Sequence, residues 1–313
     1  MENNIKELLD LIQAKRPIYK LFTDRSPVLE GLAIRKTKWR GKDSNASLQY
    51  DSEQMLETLF CEDNDKTLFD KHYKEATHDG KGLEKIRILT MHSSSLLCLA
   101  TFYNVTKSNA ITFNDEKLAT IPFTKVKFEF SNYIPSSESN SQIDICLKDE
   151  SESNVLFLES KFSEYLTCGK VTDISNKYKD DFEPFQQILE SLELELNSLE
   201  DSLCLQSKKG RTNVYCAGLK QMICHYLGAV EYATKNPSQE VYLGTILYKF
   251  PYEIDTKSKF TSYKKLYQEW AKGAELLNKK PSNLHIIQEP IVYNTLFDDR
   301  NHRFSQGVLR LYK

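Results

Sequence analysis

The chain has 313 residues, of which 40% are hydrophobic and 27% are charged, and its formal net charge is −2. This length allows one large domain or two modest ones, and the near-neutral charge argues against a protein that coats nucleic acid nonspecifically. No run of about 18 or more apolar residues occurs, so we expect no membrane span. The N-terminal stretch also lacks the basic start and apolar middle of a secretory signal. We therefore expect a globular cytoplasmic protein.

The seven cysteines lie far apart, and no Cys-x-x-Cys pair occurs. Their odd number and their spacing predict reduced, mostly buried thiols. Cys216, Cys224 and His225 resemble part of a zinc site, but a fourth ligand is missing and the spacing fits no common zinc motif. We therefore do not expect zinc.

The N-terminal third is predicted to be mainly helical. Apolar residues recur at helical spacing in residues 4–22 and again in residues 52–61. Between these helices, residues 26–47 are predicted to form turns and loops. Residues 62–82 are polar, with a break near their end.

The middle of the chain begins with a continuous apolar helix, predicted for residues 93–105, and then changes to strands. Residues 125–130, KVKFEF, alternate charged and apolar side chains, as expected of a half-buried strand. Residues 141–147 and 154–162 are predicted to be two further strands, and residues 111–113 also have strand character.

The last third is predicted to alternate helix and strand. Helices are expected at residues 182–206, where clustered acids suggest a solvated face, and at residues 214–234. Residues 241–250 are a nearly continuous apolar strand, typical of burial on both faces. A helix at 264–279 and a final strand at 284–293 complete an order that predicts an α/β fold.

The segment SQIDICLKDESESNVLFLESKFSEYL places charged residues inside the two predicted strands. Strand alternation puts Glu159 and Lys161 on the same face. The polar linker KDESESN is short enough for a hairpin loop, which puts Asp144 opposite residue 158 or 159. We therefore expect the three charged side chains to converge.

Two converging carboxylates repel each other, and a divalent cation relieves that repulsion. Hard oxygen ligands suit Mg²⁺ or Mn²⁺. Such a cation lowers the pKa of water and neutralises charge on a phosphate oxygen, while a neighbouring lysine can hold or activate the attacking water. The side chains therefore indicate phosphodiester hydrolysis. The alternative is a surface hairpin in which Glu159 and Lys161 form a solvated, weakly coupled pair, although the apolar residues on both strand faces disfavour it.

Asp144, fourteen further residues and then Glu159-Ser160-Lys161 after an apolar strand resemble the core motif of the PD-(D/E)xK nuclease superfamily, which has the restriction-endonuclease-like fold. In that superfamily the two strands form a hairpin, the acids bind Mg²⁺ and the lysine is catalytic. Ile143 stands where the name of the motif has proline, a position that supplies backbone and no ligand.

Two further features carry the resemblance. The segment LKQMICHYLGA resembles the helix that follows the motif in many members, where a polar residue, here Gln221, points toward the site. The sequence order from the apolar helix through KFEF, QIDICL and FLESKFSEY resembles in particular a bacterial group of uncharacterised restriction-endonuclease-like proteins. In that group the glutamates corresponding to Glu129 and Glu164 are additional candidate site residues.

Other interpretations of these auxiliary residues stay open. Gln221 can equally satisfy a backbone group at a half-buried position. Glu129 shares a predicted strand face with Lys127, so a simple ion pair explains it as well as a metal role does. His225 lies one helical turn beyond Gln221, and we expect it to be a structural residue.

The resemblance covers about residues 86–250 and implies an α/β fold with a restriction-endonuclease-like core, in which helices flank a central mixed β-sheet. We assign this nuclease domain to residues 86–313 and expect residues 1–85 to be a helical N-terminal region packed on it. Many superfamily members dimerise, so a homodimer is compatible with the resemblance.

The implied function is a Mg²⁺-dependent endonuclease, with Mn²⁺ as a possible substitute, that cuts DNA in restriction or DNA processing. Asp144 and Glu159 would bind the metal together with the backbone carbonyl of Ser160. Lys161 would position or activate the water, and Gln221 would support the site. The alternative is a catalytically silent nuclease-like protein that binds nucleic acid or another partner.

Overall fold

The structure is a computed structural model. It describes residues 32–39, 42–50, 53–61, 65–78, 88–90, 93–167, 171–198, 202–208, 216–250, 258–298 and 302–313. Its contacts divide the chain into two compact units, one of residues up to Asn104 together with Phe297–Lys313, and the other of Val105–Leu296. The boundary predicted after residue 85 stays a prediction.

The strands and helices have the following bounds. The strands are β1 (Leu32–Trp39), β2 (Lys42–Tyr50), β3 (Phe123–Ile134), β4 (Ser139–Asp149), β5 (Asn154–Lys161), β6 (Val171–Ser175), β7 (Leu194–Ser198), β8 (Ser202–Ser207), β9 (Glu240–Leu247), β10 (Leu284–Ile286) and β11 (Ile291–Val292). The helices are α1 (Glu53–Phe60), α2 (Lys66–Ala76), α3 (Ser94–Phe102), α4 (Glu164–Thr167), α5 (Lys179–Phe182), α6 (Gln186–Ser191), α7 (Cys216–Lys235), α8 (Lys259–Glu275), α9 (Tyr293–Leu296) and α10 (Gln306–Tyr312).

In the first unit, the helices predicted at 52–61 and 93–105 are confirmed as α1 and α3. The hydroxyl of Ser93 accepts a hydrogen bond from the Leu96 amide, 3.2 Å away, and so caps the start of α3. Every residue of α3 from Leu96 to Phe102 is buried, as its continuous apolar sequence predicted.

Two other expectations for this unit need correction. The loop predicted for residues 26–47 is wrong where the structure describes it, because β1 and β2 pair there as an antiparallel hairpin. Strand-favouring residues such as Ile34 and Trp39 outweigh the charges between them. The polar stretch 62–82 contains α2, whose buried side chains recur at helical spacing. The helix predicted at 4–22 lies outside the described residues.

The second unit contains a mixed sheet in the order β10-β9-β5-β4-β3, with β11 also pairing with β9. Strands β3, β4 and β5 are antiparallel neighbours, whereas β9 runs parallel to β5, β10 and β11. Seven of the eight residues of β9 are buried, as expected of a strand with neighbours on both sides. The prediction of an α/β protein with a central mixed sheet flanked by helices is confirmed.

The long helix predicted at 182–206 is wrong. The short helices α5 and α6 end at Phe182 and at Ser191, and the chain then turns at Glu193, whose φ of 56° is left-handed. Strands β7 and β8 follow and form a separate three-stranded sheet with β6, in the order β6-β8-β7. Within β7, Glu195 lies between Leu194 and Leu196, so the period of the pattern there is two.

Smaller differences concern the ends of elements. The strand character of residues 111–113 is reduced to one bridge between Ile111 and Phe123. The helix predicted at 264–279 is α8, which starts and ends earlier in the chain. The final strand predicted at 284–293 is split into β10 and β11, because Pro290 lies between them and cannot donate a backbone hydrogen bond.

Helix α7 confirms the helix predicted at 214–234 and packs closely on β3 and β4 at Gly228. A Cβ atom at Gly228 would lie 2.7 Å from the Cβ of Asn132 and 3.2 Å from the Cβ of Ser141. Both neighbouring atoms are Cβ atoms, which cannot move without their backbones. The absence of a side chain at Gly228 therefore sets the distance between helix and sheet.

Replacing Gly228 with Ala is expected to destabilise the protein by about 1–3 kcal/mol, the usual cost of overpacking. Helix propensity alone predicts the opposite sign, with a gain of about 1 kcal/mol. The free energy of unfolding, measured by urea denaturation, decides between overpacking and helix propensity as the larger effect. A variant more stable than the wild type would contradict the close packing.

Among the described helices, none is long and apolar enough to cross a membrane. The six described cysteines carry free thiols, and Cys98, Cys146, Cys204 and Cys216 are buried. This confirms the prediction of mostly buried thiols for the part of the chain that the structure describes. Burial also raises the pKa of the Cys146 thiol to about 12, so this thiol stays protonated at neutral pH.

Candidate functional site

The site begins where the antiparallel ladder between β4 and β5 ends. Ile145 and Leu158 form the last pair of that ladder, so the register continues to Asp144 opposite Glu159. Beyond this pair, the next amide of β5 that faces β4 bonds to a side chain and not to the backbone of β4. Oδ2 of Asp144 accepts this hydrogen bond from the Ser160 amide over 2.7 Å. The predicted approach of Asp144 to the end of β5 is confirmed.

Glu159 and Lys161 lie on one face of β5, as the alternation predicted. The Nζ atom of Lys161 lies 2.5 Å from Oε1 of Glu159. The two residues are only 4% and 3% exposed, respectively. The alternative of a solvated surface pair is therefore wrong, and this is a buried ion pair.

Helix α7 brings two residues to this pair. The Nζ atom of Lys161 donates a hydrogen bond to Oε1 of Gln221 over 3.0 Å. The Nε2 atom of His225 lies 2.8 Å from Oε2 of Glu159, although its N–H bond is not aligned as a hydrogen bond. Gln221 thus lies where the sequence placed it, at the flank of the buried stripe of α7.

His225 is the residue that the sequence reasoning left out of the site. Its Nδ1 atom contacts Oγ of Ser141, 2.5 Å away on β4. Both residues are buried. The spacing of four residues between Gln221 and His225 was the available signal, because residues i and i+4 share a helix face. No comparable signal pointed to Ser141.

Ser141 reaches this face because strand alternation breaks beside it. Regular alternation would put Phe130 on the same face of the sheet as Phe128, and Lys127 on the other face. Instead the Phe130 ring stacks on Phe157 of β5 at 5.4 Å, and Nζ of Lys127 lies 5.3 Å from the Phe130 ring. Between Phe128 and Phe130, Glu129 has a φ of 48°, a left-handed conformation that is rare for residues with a side chain.

The same break changes the face to which the side chains of β4 point, in the part of β4 that pairs with β3 beyond Glu129. Ser141 pairs with Asn132 of β3, and both lie under α7. Without the break, Ser141 would share the face of Ile145 and Leu158, away from Glu159. The left-handed residue therefore allows one imidazole of α7 to contact both β4 and β5.

The two remaining candidates lie close to the hairpin. Glu129 is half-buried, and its charge acts on Asp144. The carboxylate of Glu164 accepts a hydrogen bond from the Phe162 amide over 2.8 Å, two residues beyond the amide that Asp144 binds. The roles of these two glutamates at a site stay predictions.

The carboxylates have opposite electrostatic environments. Burial, followed by the charges of Glu159 and Glu129, raises the pKa of Asp144 well above its usual value, and Lys161 and the Ser160 amide offset this only in part. Burial also acts to raise the pKa of Glu159, but the nearby charges of Lys161 and His225 outweigh it and lower that pKa to about 2. Glu159 is therefore ionised at neutral pH, whereas the surroundings of Asp144 disfavour its ionised form.

The donors near Asp144 fit a hard divalent cation. In an extended strand the N–H and C=O of one residue point to the same edge. The Ser160 carbonyl therefore points to the edge where its amide meets Asp144. Each carboxylate oxygen has two lone pairs, so the partners of Glu159 do not exhaust its acceptor capacity. Mg²⁺ needs only one or two carboxylates because it retains water ligands.

Side chains alone do not form a complete metal cage. In the described part of the chain, no cluster of three or more His, Cys, Asp or Glu side chains is arranged to hold a metal. Two carboxylates and a carbonyl instead match a cation that keeps open positions for water and substrate.

Comparisons of the chain with protein-family models, with curated proteins and with solved structures find no match.

Proposed function

We propose that the protein is a Mg²⁺-dependent nuclease, able to use Mn²⁺, that hydrolyses phosphodiester bonds in DNA on a restriction-endonuclease-like core. The observation that carries this proposal is the convergence of Asp144, Glu159 and Lys161 at the end of the β4–β5 ladder. The raised pKa of Asp144 supports it, because a cation at this position would offset the burial and the repulsion from Glu159 and Glu129 that disfavour the ionised carboxylate.

Asp144, Glu159 and the carbonyl of Ser160 would hold the cation. When bound, the cation would supply Lewis acidity, lowering the pKa of water and neutralising charge on a phosphate oxygen. The two strands position the ligands rigidly, since Asp144 is fixed to the Ser160 amide and Glu159 is held between Lys161 and His225. Such preorganisation reduces the rearrangement needed during the reaction.

Lys161 would orient the attacking water and offset the negative charge that develops on the phosphate. Its ammonium group is held by Glu159 on one side and by Gln221 on the other. Gln221 would thus be a positioning residue that acts through Lys161. The choice of DNA as substrate rests on the resemblance to the PD-(D/E)xK superfamily.

The proposal is tested by incubating circular and linear DNA with the wild type, Asp144→Ala and Lys161→Ala, in Mg²⁺, Mn²⁺ or a chelator. We expect cleavage only with metal, and a loss of about 10²–10³-fold or more in both variants, because each removes several kcal/mol of transition-state stabilisation. Asp180→Ala and Lys179→Ala are matched controls, because these neighbouring residues of α5 are exposed. Equal, metal-independent cleavage by all proteins would contradict the mechanism.

The same assay separates the proposal from a catalytically silent binding module. The observation that favours this alternative is the close pairing of Glu159 with Lys161 and His225, which can stabilise the fold without any cation. Binding of DNA without cleavage in either metal would favour the silent module. Metal-dependent cleavage that Asp144→Ala abolishes would exclude it.

A further inference from the structure

One imidazole connects the two strands of the candidate site. His225 contacts Ser141 of β4 through Nδ1 at 2.5 Å and approaches Glu159 of β5 through Nε2 at 2.8 Å. All three residues are at most 4% exposed. The Ser141 hydroxyl can donate to Nδ1 or accept from it, and the Glu159 carboxylate is an acceptor, so each nitrogen faces a suitable partner.

We propose that His225, anchored by Ser141, is a positioning residue that sets the orientation of the Glu159 carboxylate for cation binding. This inference rests on the proposed function. The two oxygens of Glu159 contact groups from different elements, Lys161 on its own strand and His225 on α7. Contacts at both oxygens restrict rotation of the carboxylate plane, which decides where its remaining lone pairs point.

The packing of α7 supports this role. Gly228 lies three residues after His225 and holds the helix against β3 and β4, with Ser141 among its immediate neighbours. The helix therefore approaches the sheet closely within one turn of the imidazole. The left-handed conformation of Glu129 brings Ser141 to the same face. Two unusual backbone features thus combine to place the anchor.

A nucleophilic Ser–His–Glu triad does not explain the same contacts. A nucleophilic serine must reach its substrate, but Ser141 is only 3% exposed, under α7. A direct metal ligand does not explain them either, because Nδ1 contacts Ser141 and Nε2 faces Glu159. Support of the carboxylate uses both nitrogens as they lie.

The test compares His225→Gln, His225→Asn and Ser141→Ala. The amide nitrogen of Gln corresponds in position to Nε2 and can still contact Glu159, whereas that of Asn corresponds to Nδ1 and reaches only Ser141. Mn²⁺ affinity is measured by electron paramagnetic resonance, and DNA cleavage is measured in parallel. We expect His225→Asn to weaken Mn²⁺ binding by about 10–100-fold, as loss of such supporting contacts usually does, and His225→Gln to restore it to within a few-fold.

The matched control is His285→Asn. His285 also pairs with a glutamate on the same sheet, Glu240 at 2.6 Å, but that pair is much more exposed. We expect no change in Mn²⁺ affinity for this variant. Equal affinities for the wild type, His225→Asn and His225→Gln would overturn the inference. Equal losses for Asn and Gln would overturn it too, because a general structural role does not distinguish the two amides.

Two further outcomes are separable. If the His225 variants do not fold, Ser141→Ala carries the test, with several-fold weaker Mn²⁺ binding expected and unchanged binding contradicting the inference. If the wild type binds no Mn²⁺ and cleaves no DNA, the proposed function fails, and this inference fails with it. Binding by the wild type with unchanged binding by all three variants overturns the inference alone.

Discussion

Asp144→Asn is expected to abolish metal-dependent cleavage and, in the absence of metal, to raise the free energy of unfolding at neutral pH. The pKa of Asp144 is raised by burial and then by Glu159 and Glu129, so ionisation of this group opposes folding. The amide of Asn removes that charge, and its oxygen can still accept the hydrogen bond from the Ser160 amide. Function and stability should therefore change in opposite directions.

The pH dependence of this effect has a defined sign. In the unfolded chain Asp144 ionises near its ordinary pKa of about 3.9, whereas in the folded protein it holds its proton to higher pH. The wild type therefore loses stability relative to Asp144→Asn as the pH rises above about 4, until the raised pKa is passed. The stability difference between the two proteins should be smallest below pH 4, where both side chains are neutral.

Urea denaturation with and without Mn²⁺ measures both parts of this prediction. Mn²⁺ at about 100 times its dissociation constant should stabilise the wild type by about 2.7 kcal/mol and leave Asp144→Asn unchanged. Asp180→Asn, at an exposed position on α5, is the control and should behave as the wild type. A metal-free Asp144→Asn protein that is less stable than the wild type at pH 7 would contradict the electrostatic account.

The second large effect concerns the buried ion pair. Glu159→Gln is expected to lower the free energy of unfolding by about 3–5 kcal/mol, because it leaves the buried ammonium group of Lys161 without its counter-charge. The double variant Glu159→Gln/Lys161→Met should regain most of this loss, since it removes both charges. Both variants should lack nuclease activity.

The pH dependence and a surface pair provide the controls. The pKa of Glu159 is lowered to about 2, so its stabilisation is complete above its ordinary pKa of about 4.3 and is lost as the pH falls toward 2. Glu150→Gln breaks the exposed pair with Lys107 and should leave the free energy of unfolding almost unchanged. A cost below 1 kcal/mol for Glu159→Gln in chemical denaturation would show that the buried pair is not stabilised by its charges.

The hairpin could be predicted because its signals are local. The apolar runs of β4 and β5, their polar linker and the period-two alternation determine which charges share a face. Those signals left Asp144 opposite residue 158 or 159, and the observed pair of Ile145 and Leu158 corresponds to residue 159. The position of Gln221 on α7 could also be predicted, since it follows from helical periodicity.

His225 and Ser141 could not be paired from the sequence because their contact depends on tertiary structure. It requires α7 to lie across β3 and β4, and it requires the left-handed residue Glu129 to change the face of the strands. The residues around Glu129 and Gly228 in the sequence do not predict this role. A glutamate is an unusual residue in a left-handed conformation, so the sequence predicts an uninterrupted strand.

The error at residues 182–206 has a different cause. Leu189, Leu192 and Leu196 recur at helical spacing, whereas Leu192, Leu194 and Leu196 recur at strand spacing. Both periods therefore fit the same leucines. The structure uses the first period up to Ser191 and the second from Leu194 onward, and pairing with β8 decides between them.

Binding of Mn²⁺ to the wild type and to Asp144→Asn, followed by electron paramagnetic resonance without DNA, tests most directly whether this hairpin holds a metal. We predict one bound Mn²⁺ per wild-type chain, loss of that site in Asp144→Asn and its retention in Asp180→Asn. Indistinguishable binding curves for the wild type and Asp144→Asn would contradict the account, because Asp144 would then not be a ligand.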